Sequence, residues 1–380
     1  MSKKAKIIIT IVVVLILGWL IWQNVVRQPE VVSTDPIKIG VIVPLSGSGA
    51  KYGEDSRAGI TMAQEFLAAK YPDLNLEVIY QDSFYTPKGG VDAYQKLVQV
   101  DKISATIVGA SFIAIPIRPL AEKDGVLEIA VWSSSPSYTN THNLNFRTTL
   151  TADDTIPPIL SYMKSQKLQK LAVLNAENEF GTSHKDSFLK LSPASGVAIV
   201  FSEGFDGGEK DFRTSLLKIK SSGADSVFFI GTYGQLATAL KQAKELRIDI
   251  QFISQGIAEE TGLIEIASLS AEGLVYAYPF DNTSKEAREF SKDYESRYGE
   301  MPNQYSAEAF VGLQVFGEAV HLCKNKIDVN CWKDRLDSMG KFKTILGSGS
   351  FNDSGDLKMG KVFMKTVQNG QFVKLVAFGT

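Results

Sequence analysis

Short β-branched runs alternate with amphipathic stretches along most of the chain. Residues 37–45 (IKIGVIVPL) form an apolar run that stops at a Ser/Gly cluster, as a buried parallel strand does where it opens into a loop. In residues 52–71, apolar side chains recur at positions 60, 63, 66 and 67, which is helical spacing, and a proline follows. The pattern predicts a strand followed by a helix.

The same alternation continues through the rest of the chain. Further strands are predicted at residues 74–80, 104–108, 127–131, 170–174, 198–201, 226–230 and 273–278. Further helices are predicted at residues 90–100, 116–123, 154–166, 182–191, 212–221, 284–298, 305–323 and 332–338, and a closing hairpin is predicted around Asn369 and Gly370. Strands that alternate with helices form parallel sheets covered on both faces, so we expect an α/β fold.

The N-terminal segment follows a different pattern. Residues 7–26 carry no charged side chain, three lysines precede them, and Arg27 follows. An apolar helix of about 20 residues spans a bilayer, and the lysines favour a cytoplasmic N-terminus with the remainder outside. A cleaved secretory signal is the alternative, but its apolar region is usually only about 7–15 residues long, and the nearest cleavage motif here, at residues 31–33, is poor. We expect residues 1–35 to be a membrane anchor and linker.

Composition and charge place the exported part among ordinary globular proteins. The chain has 380 residues, of which 44% are hydrophobic, and a formal net charge of -2. That length allows about two domains at roughly 150 residues each. The near-neutral charge gives no electrostatic reason to expect a nucleic-acid partner.

Motifs typical of metal, nucleotide and hydrolytic sites are missing from the sequence. The histidines, His142, His184 and His321, are scattered and no CxxC pair occurs, so no metal site is expected. The glycines after the first strand follow GxGxxxG, one residue longer than the dinucleotide-binding fingerprint. Neither GxSxG nor HExxH occurs. We therefore expect neither catalysis nor a cofactor.

Two cysteines, Cys323 and Cys331, lie close together after a predicted helix. Disulfides persist outside the cytoplasm, so we expect a local bridge between them. Two unpaired, half-buried thiols are the alternative.

Six motifs occur in one order along residues 37–378. They are IGVIVPLSGSGAKYG (39–53), QDSFYTPKGG (81–90), FRTT (146–149), EFG (179–181), GGEKDF (207–212) and FNDSGDLKMG (351–360). In this order and spacing the chain resembles the type I periplasmic binding proteins of the leucine/isoleucine/valine-binding branch. The resemblance implies two doubly wound parallel-sheet lobes, joined by three hinge crossings, that hold a ligand between them.

The two similar windings of strands and helices, with a tail shared between them, suggest where each lobe lies. We expect residues 36–149 and 280–341 in the first lobe, residues 150–279 and 342–380 in the second, and hinges near residues 148–152, 278–281 and 341–347.

Topology places the ligand site beyond the carboxyl ends of the strands, where open α/β sheets bind ligands. The loops at residues 46–53, 109–113 and 132–135 follow three strands of the first lobe. Free backbone N–H groups at helix N-termini, helped by hydroxyls, suit a carboxylate or another acceptor group. Ser111 and Ser134 are the side chains best placed for this role.

The resemblance adds ligand contacts within these loops. Relatives hold the carboxylate and ammonium of an amino acid there, which implies contact roles for Tyr52, Ser111, Ser133 and Ser134. The alternative is that the serines only cap helices or form turns.

Loops of the second lobe are expected to face these groups across a cleft. Their candidate ligand contacts are Asn178, Phe180, Thr232, Tyr233 and Gln255. The aromatic members, and Trp132 in the first lobe, could equally be core side chains.

Two of these positions depart from the family pattern. Relatives that bind α-amino acids carry a Tyr at the position of Phe180 and a carboxylate near Gln255, because a buried ammonium needs a compensating charge. Glu259 and Glu260 could substitute for that carboxylate, or they could be solvated surface residues. Amides, urea-like compounds and aromatic acids therefore remain open as ligands beside amino acids.

These expectations describe an extracytoplasmic receptor. It would capture a small polar metabolite, an amino acid or a related compound, between two closing lobes and present it to the permease of an ABC importer. The alternative is a membrane-anchored sensor that acts through a separate signalling partner.

Overall fold

The computed structural model describes residues 35–139, 143–359 and 361–375, together with the isolated positions 16 and 19. The predicted membrane anchor at residues 7–26 lies almost wholly outside the described residues. Where the structure is described, no helix is both long and apolar enough to cross a membrane.

Strands and helices alternate along the described chain. The strands are β1 (Ile37–Val43), β2 (Leu76–Asp82), β3 (Ala105–Gly109), β4 (Leu127–Val131), β5 (Asn145–Arg147), β6 (Lys170–Ala176), β7 (Ala198–Phe205), β8 (Ser226–Ile230), β9 (Gln251–Gln255), β10 (Val275–Tyr278), β11 (Phe342–Thr344), β12 (Gly347–Phe351), β13 (Leu357–Met359), β14 (Phe363–Gln368) and β15 (Gln371–Lys374). The α-helices are α1 (Ala50–Lys70), α2 (Pro87–Lys96), α3 (Ser111–Asp124), α4 (Ala152–Ser165), α5 (Glu179–Ser195), α6 (Arg213–Ser221), α7 (Tyr233–Glu245), α8 (Thr261–Ala267), α9 (Arg288–Tyr298), α10 (Gln304–His321) and α11 (Val329–Asp337).

The first lobe is built on a five-stranded parallel sheet with strand order β2-β1-β3-β4-β5. Helices α1 and α10 pack against each other and contact strands β1, β3 and β4, while α2 and α3 form a second pair on the sheet. Strands β3 and β4 are buried along their whole length, as expected for parallel strands covered on both faces. We call this sheet with α1, α2, α3 and α10 the first lobe.

The second lobe is built on a seven-stranded sheet with strand order β15-β14-β10-β9-β8-β6-β7. The four pairings from β10 to β7 are parallel, and the hairpin of β14 and β15 joins β10 in antiparallel orientation. Helix α4 contacts β10 and β14, and α5 contacts β6 and β7. We call this sheet with α4, α5, α7 and α8 the second lobe.

The chain passes between the two sheets more than once. It leaves the first sheet after β5, builds β6 to β10, returns to the first lobe with α10, and ends in the second sheet with β14 and β15. A small antiparallel sheet, β11-β12-β13, lies on the last passage. The predicted α/β fold with two parallel-sheet lobes is confirmed, whereas the residues at which one lobe gives way to the other stay a prediction.

Several helices differ from the sequence pattern. Helix α3 begins at Ser111 rather than at residue 116, and it holds two prolines. Because proline lacks an N–H donor and usually marks a helix boundary, it hid the true start. Helix α5 likewise begins at Glu179 rather than at residue 182. Helix α7 is absent from the predicted elements, since alanines make up much of its buried face and leave a weak apolar stripe.

The end of the chain follows the predicted hairpin. Asn369 and Gly370 have φ angles of 53° and 70°, the left-handed pair that a two-residue type I′ turn requires. Before this hairpin, a disulfide joins Cys323, just after α10, to Cys331 in α11, with their Cα atoms 6.1 Å apart. The bridge clips the connection between two packed helices.

Candidate functional site

A cavity lies between the two lobes, at the carboxyl ends of the first-lobe strands. It holds about 530 Å³ of empty space, including the part that opens to solvent. Its lining residues before β6 and on α10 are Tyr52, Tyr85, Ala110, Phe112, Trp132, Ser134, Thr149, Leu150, Thr155, Gln304, Tyr305 and Glu308. The remaining lining residues lie between β6 and α9 in the chain, and they are Phe180, Gln255, Ile257 and Pro279. Of the sequence-predicted site residues, the cavity brings together Tyr52, Ser134, Phe180 and Gln255.

Backbone strain marks the first-lobe wall of this cavity. Tyr85, Ala110 and Trp132 each follow a strand of the first sheet, and each has a positive φ angle, of 55°, 72° and 38° respectively. Residues with a Cβ atom avoid this region, and a residue held there costs on the order of 1–3 kcal/mol. Such strain clusters where binding residues must be held in one position.

Aromatic rings form much of the same wall. The ring centroids of Tyr52 and Tyr305 are 4.5 Å apart, and that of Trp132 lies 5.4 Å from Tyr305 and 6.1 Å from Tyr52. Tyr85 and Phe112 meet edge to face at 5.0 Å. The cavity is thus bounded by flat, polarisable surfaces that suit an apolar, aromatic or cationic group.

Ser134 contributes a free hydroxyl to this wall. Its side chain is buried, it lines the cavity, and its Oγ has no hydrogen-bond partner among the described residues. A buried hydroxyl without a partner costs free energy unless a ligand or water supplies one. Ser134 is therefore a polar group that remains available to a ligand.

Ser111 and Ser133 lie beneath the cavity wall and do not line the cavity. The Ser111 hydroxyl accepts a hydrogen bond from the Ser135 N–H at 3.1 Å and another from the Ser133 hydroxyl at 3.4 Å. The Ser133 N–H donates to the Thr149 hydroxyl at 3.3 Å. Both serines are fully buried. In this arrangement they fix the loop that carries Ser134.

Thr232 and Tyr233 also lie outside the cavity lining. Thr232 caps helix α7, where its hydroxyl accepts from the Gln235 N–H at 3.3 Å. The Tyr233 N–H donates to the Tyr52 hydroxyl at 3.1 Å, which joins the second lobe to the first. Tyr233 is therefore placed at the rim, where it contacts a cavity residue from the opposite lobe.

Phe180 and Gln255 line the cavity from the second lobe. Phe180 lies in the first turn of α5, and Asn178 caps that helix by accepting from the Gly181 N–H at 2.9 Å. The Phe180 carbonyl contacts Nδ1 of His184 at 2.8 Å. Burial lowers the pKa of His184 to about 4, so the imidazole beside this wall is neutral at pH 7.

Glu308 of α10 lies in the cavity wall. The sequence pattern did not indicate this residue. The Glu308 Oε2 atom accepts hydrogen bonds from the Trp132 N–H at 2.8 Å and from the Thr149 hydroxyl at 2.6 Å. Burial raises the pKa of Glu308 to about 7. The only sequence signal is a carboxylate within an otherwise apolar, fully buried stretch of helix.

Glu259 and Glu260 are not solvated surface residues, and they do not line the cavity. The Glu259 carboxylate pairs with Lys365 and accepts from the Tyr276 hydroxyl at 2.7 Å. Glu260 is 3% exposed and accepts from the Asn303 side chain at 3.1 Å. These partners explain the burial of both carboxylates, which therefore do not replace the carboxylate missing at Gln255.

Hydrogen bonds also cross between the lobes beside the cavity. The hydroxyls of Ser135 and Ser137 both donate to the Oε1 atom of Glu179, at the start of α5, over 2.7 Å each. With the contact between Tyr52 and Tyr233, they hold the lobes together at two places.

Comparisons with known proteins agree with this architecture. A family model described as "Periplasmic binding protein" matches residues 36–371. The chain is 27% identical over 341 residues to the Leu/Ile/Val-binding protein homolog 2 of Brucella abortus, and the match covers 88% of this chain and 91% of that protein.

Two solved structures share the fold. The isoleucine complex of the substrate-binding protein LivJ from Streptococcus pneumoniae has a TM-score of 0.80 at 23% identity, with 90% of this chain and 100% of that chain covered. The benzoate complex of a solute-binding protein of an ABC transporter from R. palustris has a TM-score of 0.81 at 19% identity, with 90% and 96% covered. Because the family model spans most of the sequence and these proteins share its two-lobed fold, the chain belongs to the periplasmic binding protein family, whose members are substrate-binding proteins.

Proposed function

We propose that the chain is an extracytoplasmic receptor that captures a small polar metabolite, an amino acid or a related compound, and presents it to an ABC importer permease. The observation that carries the proposal is the interlobe cavity, which combines the free Ser134 hydroxyl, the Glu308 carboxylate and a wall of aromatic rings. Such a mixture of apolar surface and a few polar groups is typical of small-molecule sites. No catalytic step is part of the proposal.

The relatives support this function and its chemistry. One is named for leucine, isoleucine and valine, one structure holds isoleucine, and another holds benzoate. Each of these ligands combines a carboxylate with an apolar body. We infer that Ser134 meets a polar group of the ligand and that Tyr52, Phe180 and Gln255 contact its body.

Ligand capture is proposed to proceed by closure of the lobes about the three chain passages between them. The cross-lobe hydrogen bonds of Tyr52 and Glu179 belong to the closed state. A ligand that bridges both lobes would favour that state over an open one. Small-angle scattering should show a smaller radius of gyration with saturating ligand, and an unchanged radius would contradict the closure.

The proposal also includes a tether. Residues 7–26 would hold the receptor in the cell membrane, with the binding lobes on the extracytoplasmic side. After alkaline extraction of cell membranes, the full chain should stay in the membrane pellet. Recovery of a soluble form lacking these residues would contradict the tether and leave the receptor function standing.

The receptor function is tested by a thermal-unfolding screen of the full chain in a mild detergent. Amino acids, amines, amides and aromatic acids are added singly at millimolar concentration. A ligand of the folded state raises the free energy of unfolding by about 2.7 kcal/mol at a hundredfold excess over its dissociation constant. We expect at least one compound to do so, and a screen of these classes without any stabilising compound would contradict the proposed function.

A further inference from the structure

Glu308 is held in the cavity wall by donors that both reach the same oxygen. The Trp132 N–H and the Thr149 hydroxyl donate to Oε2, at 2.8 and 2.6 Å. Within the described residues, Oε1 receives no hydrogen bond. The side chain is 2% exposed, yet it lines the cavity. One carboxylate oxygen is therefore anchored to the protein, and the other is left for an occupant of the cavity.

The described part of the chain supplies no cation to this carboxylate. Its pKa is raised by burial and lowered by the hydrogen bonds from Thr149 and Trp132, and no lysine, arginine or histidine contributes to the shift. A buried carboxylate without a positive partner is costly, and an unpaired buried charge is strongly destabilising. When it is ionised, Glu308 has no counter-charge among the described residues, and a cationic group in the cavity would supply one.

Three aromatic rings line the same cavity as this carboxylate. Trp132 donates its backbone N–H to Glu308, Tyr305 precedes Glu308 by three residues on α10, and Tyr52 lies against both rings. All three rings line the cavity. Ring faces attract cations, and clusters of aromatic side chains are a known means of binding ammonium groups. Rings and carboxylate therefore favour the same kind of ligand group.

We propose that Glu308, with the rings of Tyr52, Trp132 and Tyr305, forms a cation subsite, so that the ligand carries a protonated amine or a similar cationic group. This proposal rests on the receptor function and narrows its ligand class. Amines and zwitterionic amino acids fit the subsite, whereas a carboxylic acid without a cationic group would place its charge in a cavity that already holds Glu308.

The subsite also gives an order to the binding steps. Ser134 and Glu308 both belong to the first lobe and its helix α10, whereas Gln255, in the second lobe, is uncharged. A zwitterionic ligand would meet both of its charged ends on the first lobe before the second lobe closes over its body. Closure then adds Phe180 and Gln255 to the contacts.

The test compares ligands that differ only in their charged groups. One trio is leucine, 3-methylbutylamine and 4-methylpentanoate, and the other is phenylglycine, benzylamine and phenylacetate. Each is titrated calorimetrically into the full chain, its Glu308→Gln variant and its Glu318→Gln variant. Glu318 lies on the same helix, where it pairs with Lys70 away from the cavity, so its variant is the matched control.

In the wild type, the amine-bearing members of a trio should bind at least about tenfold more tightly than the carboxylate-only member. Glu308→Gln should weaken the amine-bearing members on the order of 100-fold, because it removes one partner of a buried charge pair. Glu318→Gln should bind like the wild type. Thermal unfolding of each unligated variant verifies that it is folded.

The outcomes separate this proposal from the receptor function. If Glu308→Gln binds an amine-bearing ligand as tightly as the wild type does, the cation subsite is overturned and the receptor function stands. The cation subsite is also overturned, and the receptor function still stands, if the thermal-unfolding screen yields a ligand without a cationic group that the wild type and Glu308→Gln bind with equal affinity. If that screen yields no ligand at all, the receptor function is overturned and the subsite with it.

Discussion

The hydroxyl of Tyr52 in the first lobe accepts a hydrogen bond from the backbone N–H of Tyr233 in the second lobe, over 3.1 Å. The two rings also meet edge to face, with centroids 5.9 Å apart. Tyr52 lines the cavity and Tyr233 does not. One side chain therefore contacts both the cavity and the opposite lobe, so it would couple ligand binding to the proposed closure.

Tyr52→Phe should loosen the closed state. The variant keeps the ring and its contacts with Trp132 and Tyr305 but loses the hydroxyl that accepts from Tyr233. A single hydrogen bond contributes about 0.5–1.5 kcal/mol, so we expect ligand affinity to fall about 2- to 10-fold. Calorimetric titration measures the affinity. An affinity equal to that of the wild type would show that this contact does not assist closure.

Ser134→Ala and Ser111→Ala should have different effects, although both residues come from strand-end loops. The Ser134 hydroxyl has no partner in the described protein, so its removal should leave thermal stability unchanged or raised while ligand affinity falls about tenfold. The Ser111 hydroxyl accepts from the buried Ser135 N–H, so its removal should cost about 1–3 kcal/mol of unfolding free energy. Urea unfolding and calorimetry on both variants measure the two quantities. Equal stability losses in the two variants would contradict this assignment.

Glu308 should make folding stability fall as the pH rises. Its carboxyl titrates near 4.5 in the unfolded chain and at about 7 in the folded protein. Below pH 4.5 both states hold the proton and the contribution is absent. Between pH 4.5 and 7 the unfolded state releases its proton first, and above pH 7 the loss of stability is complete, at about 3 kcal/mol.

Glu308→Gln removes this contribution, so the variant should gain about 3 kcal/mol over the wild type between pH 4.5 and pH 8. Urea unfolding of both proteins across that range gives the difference directly. Buried His184, whose lowered pKa acts with the opposite sign, is present in both proteins. Tyr278, whose pKa Glu308 helps to raise, keeps its proton throughout this pH range. A difference that does not vary with pH would contradict the raised pKa of Glu308.

Arg147 ends β5, where the chain leaves the first sheet, and we expect it to contribute strongly to the free energy of unfolding. Its fully buried guanidinium pairs with Asp356 and donates to the Ser133 carbonyl at 3.2 Å. Arg147→Met leaves Asp356 buried without its partner, so we expect a loss of about 3–5 kcal/mol of unfolding free energy. The control is Arg213→Met, because Arg213 pairs with Glu245 on the surface and its removal should cost at most about 1 kcal/mol.

Losses of similar size in the two arginine variants, measured by urea unfolding, would contradict the importance of the buried pair. Arg147→Lys should recover little of the stability, since an ammonium does not reproduce the planar set of donors that reaches Asp356 and two backbone carbonyls.

Sequence reasoning located the strand-end loops because they depend on local pattern. Strand β4 is a buried apolar run, so the serines after it had to lie at the carboxyl edge of the sheet, and Ser134 does line the cavity there. Ser111 was harder to place. Prolines inside α3 concealed that Ser111 is the first residue of the helix, and its hydroxyl is used by Ser135 within the wall.

Groups that depend on distant partners could not be predicted in this way. Glu308 is separated by 176 residues from Trp132, whose N–H it accepts, so only the folded chain brings them together. The sequence left Glu260 open as a ligand contact or a surface residue, because its partner Asn303 lies 43 residues away. A charged residue in a buried apolar helix, as at Glu308, is the one local signal that could have been followed.

The central claim is that a small cationic or zwitterionic ligand binds between Ser134 and Glu308. The most direct measurement is a crystal structure of the chain with the most stabilising compound from the screen. We expect that compound between the lobes, with a polar group within hydrogen-bond distance of the Ser134 hydroxyl and its cationic group against Glu308. A ligand bound outside the interlobe cavity would contradict the account.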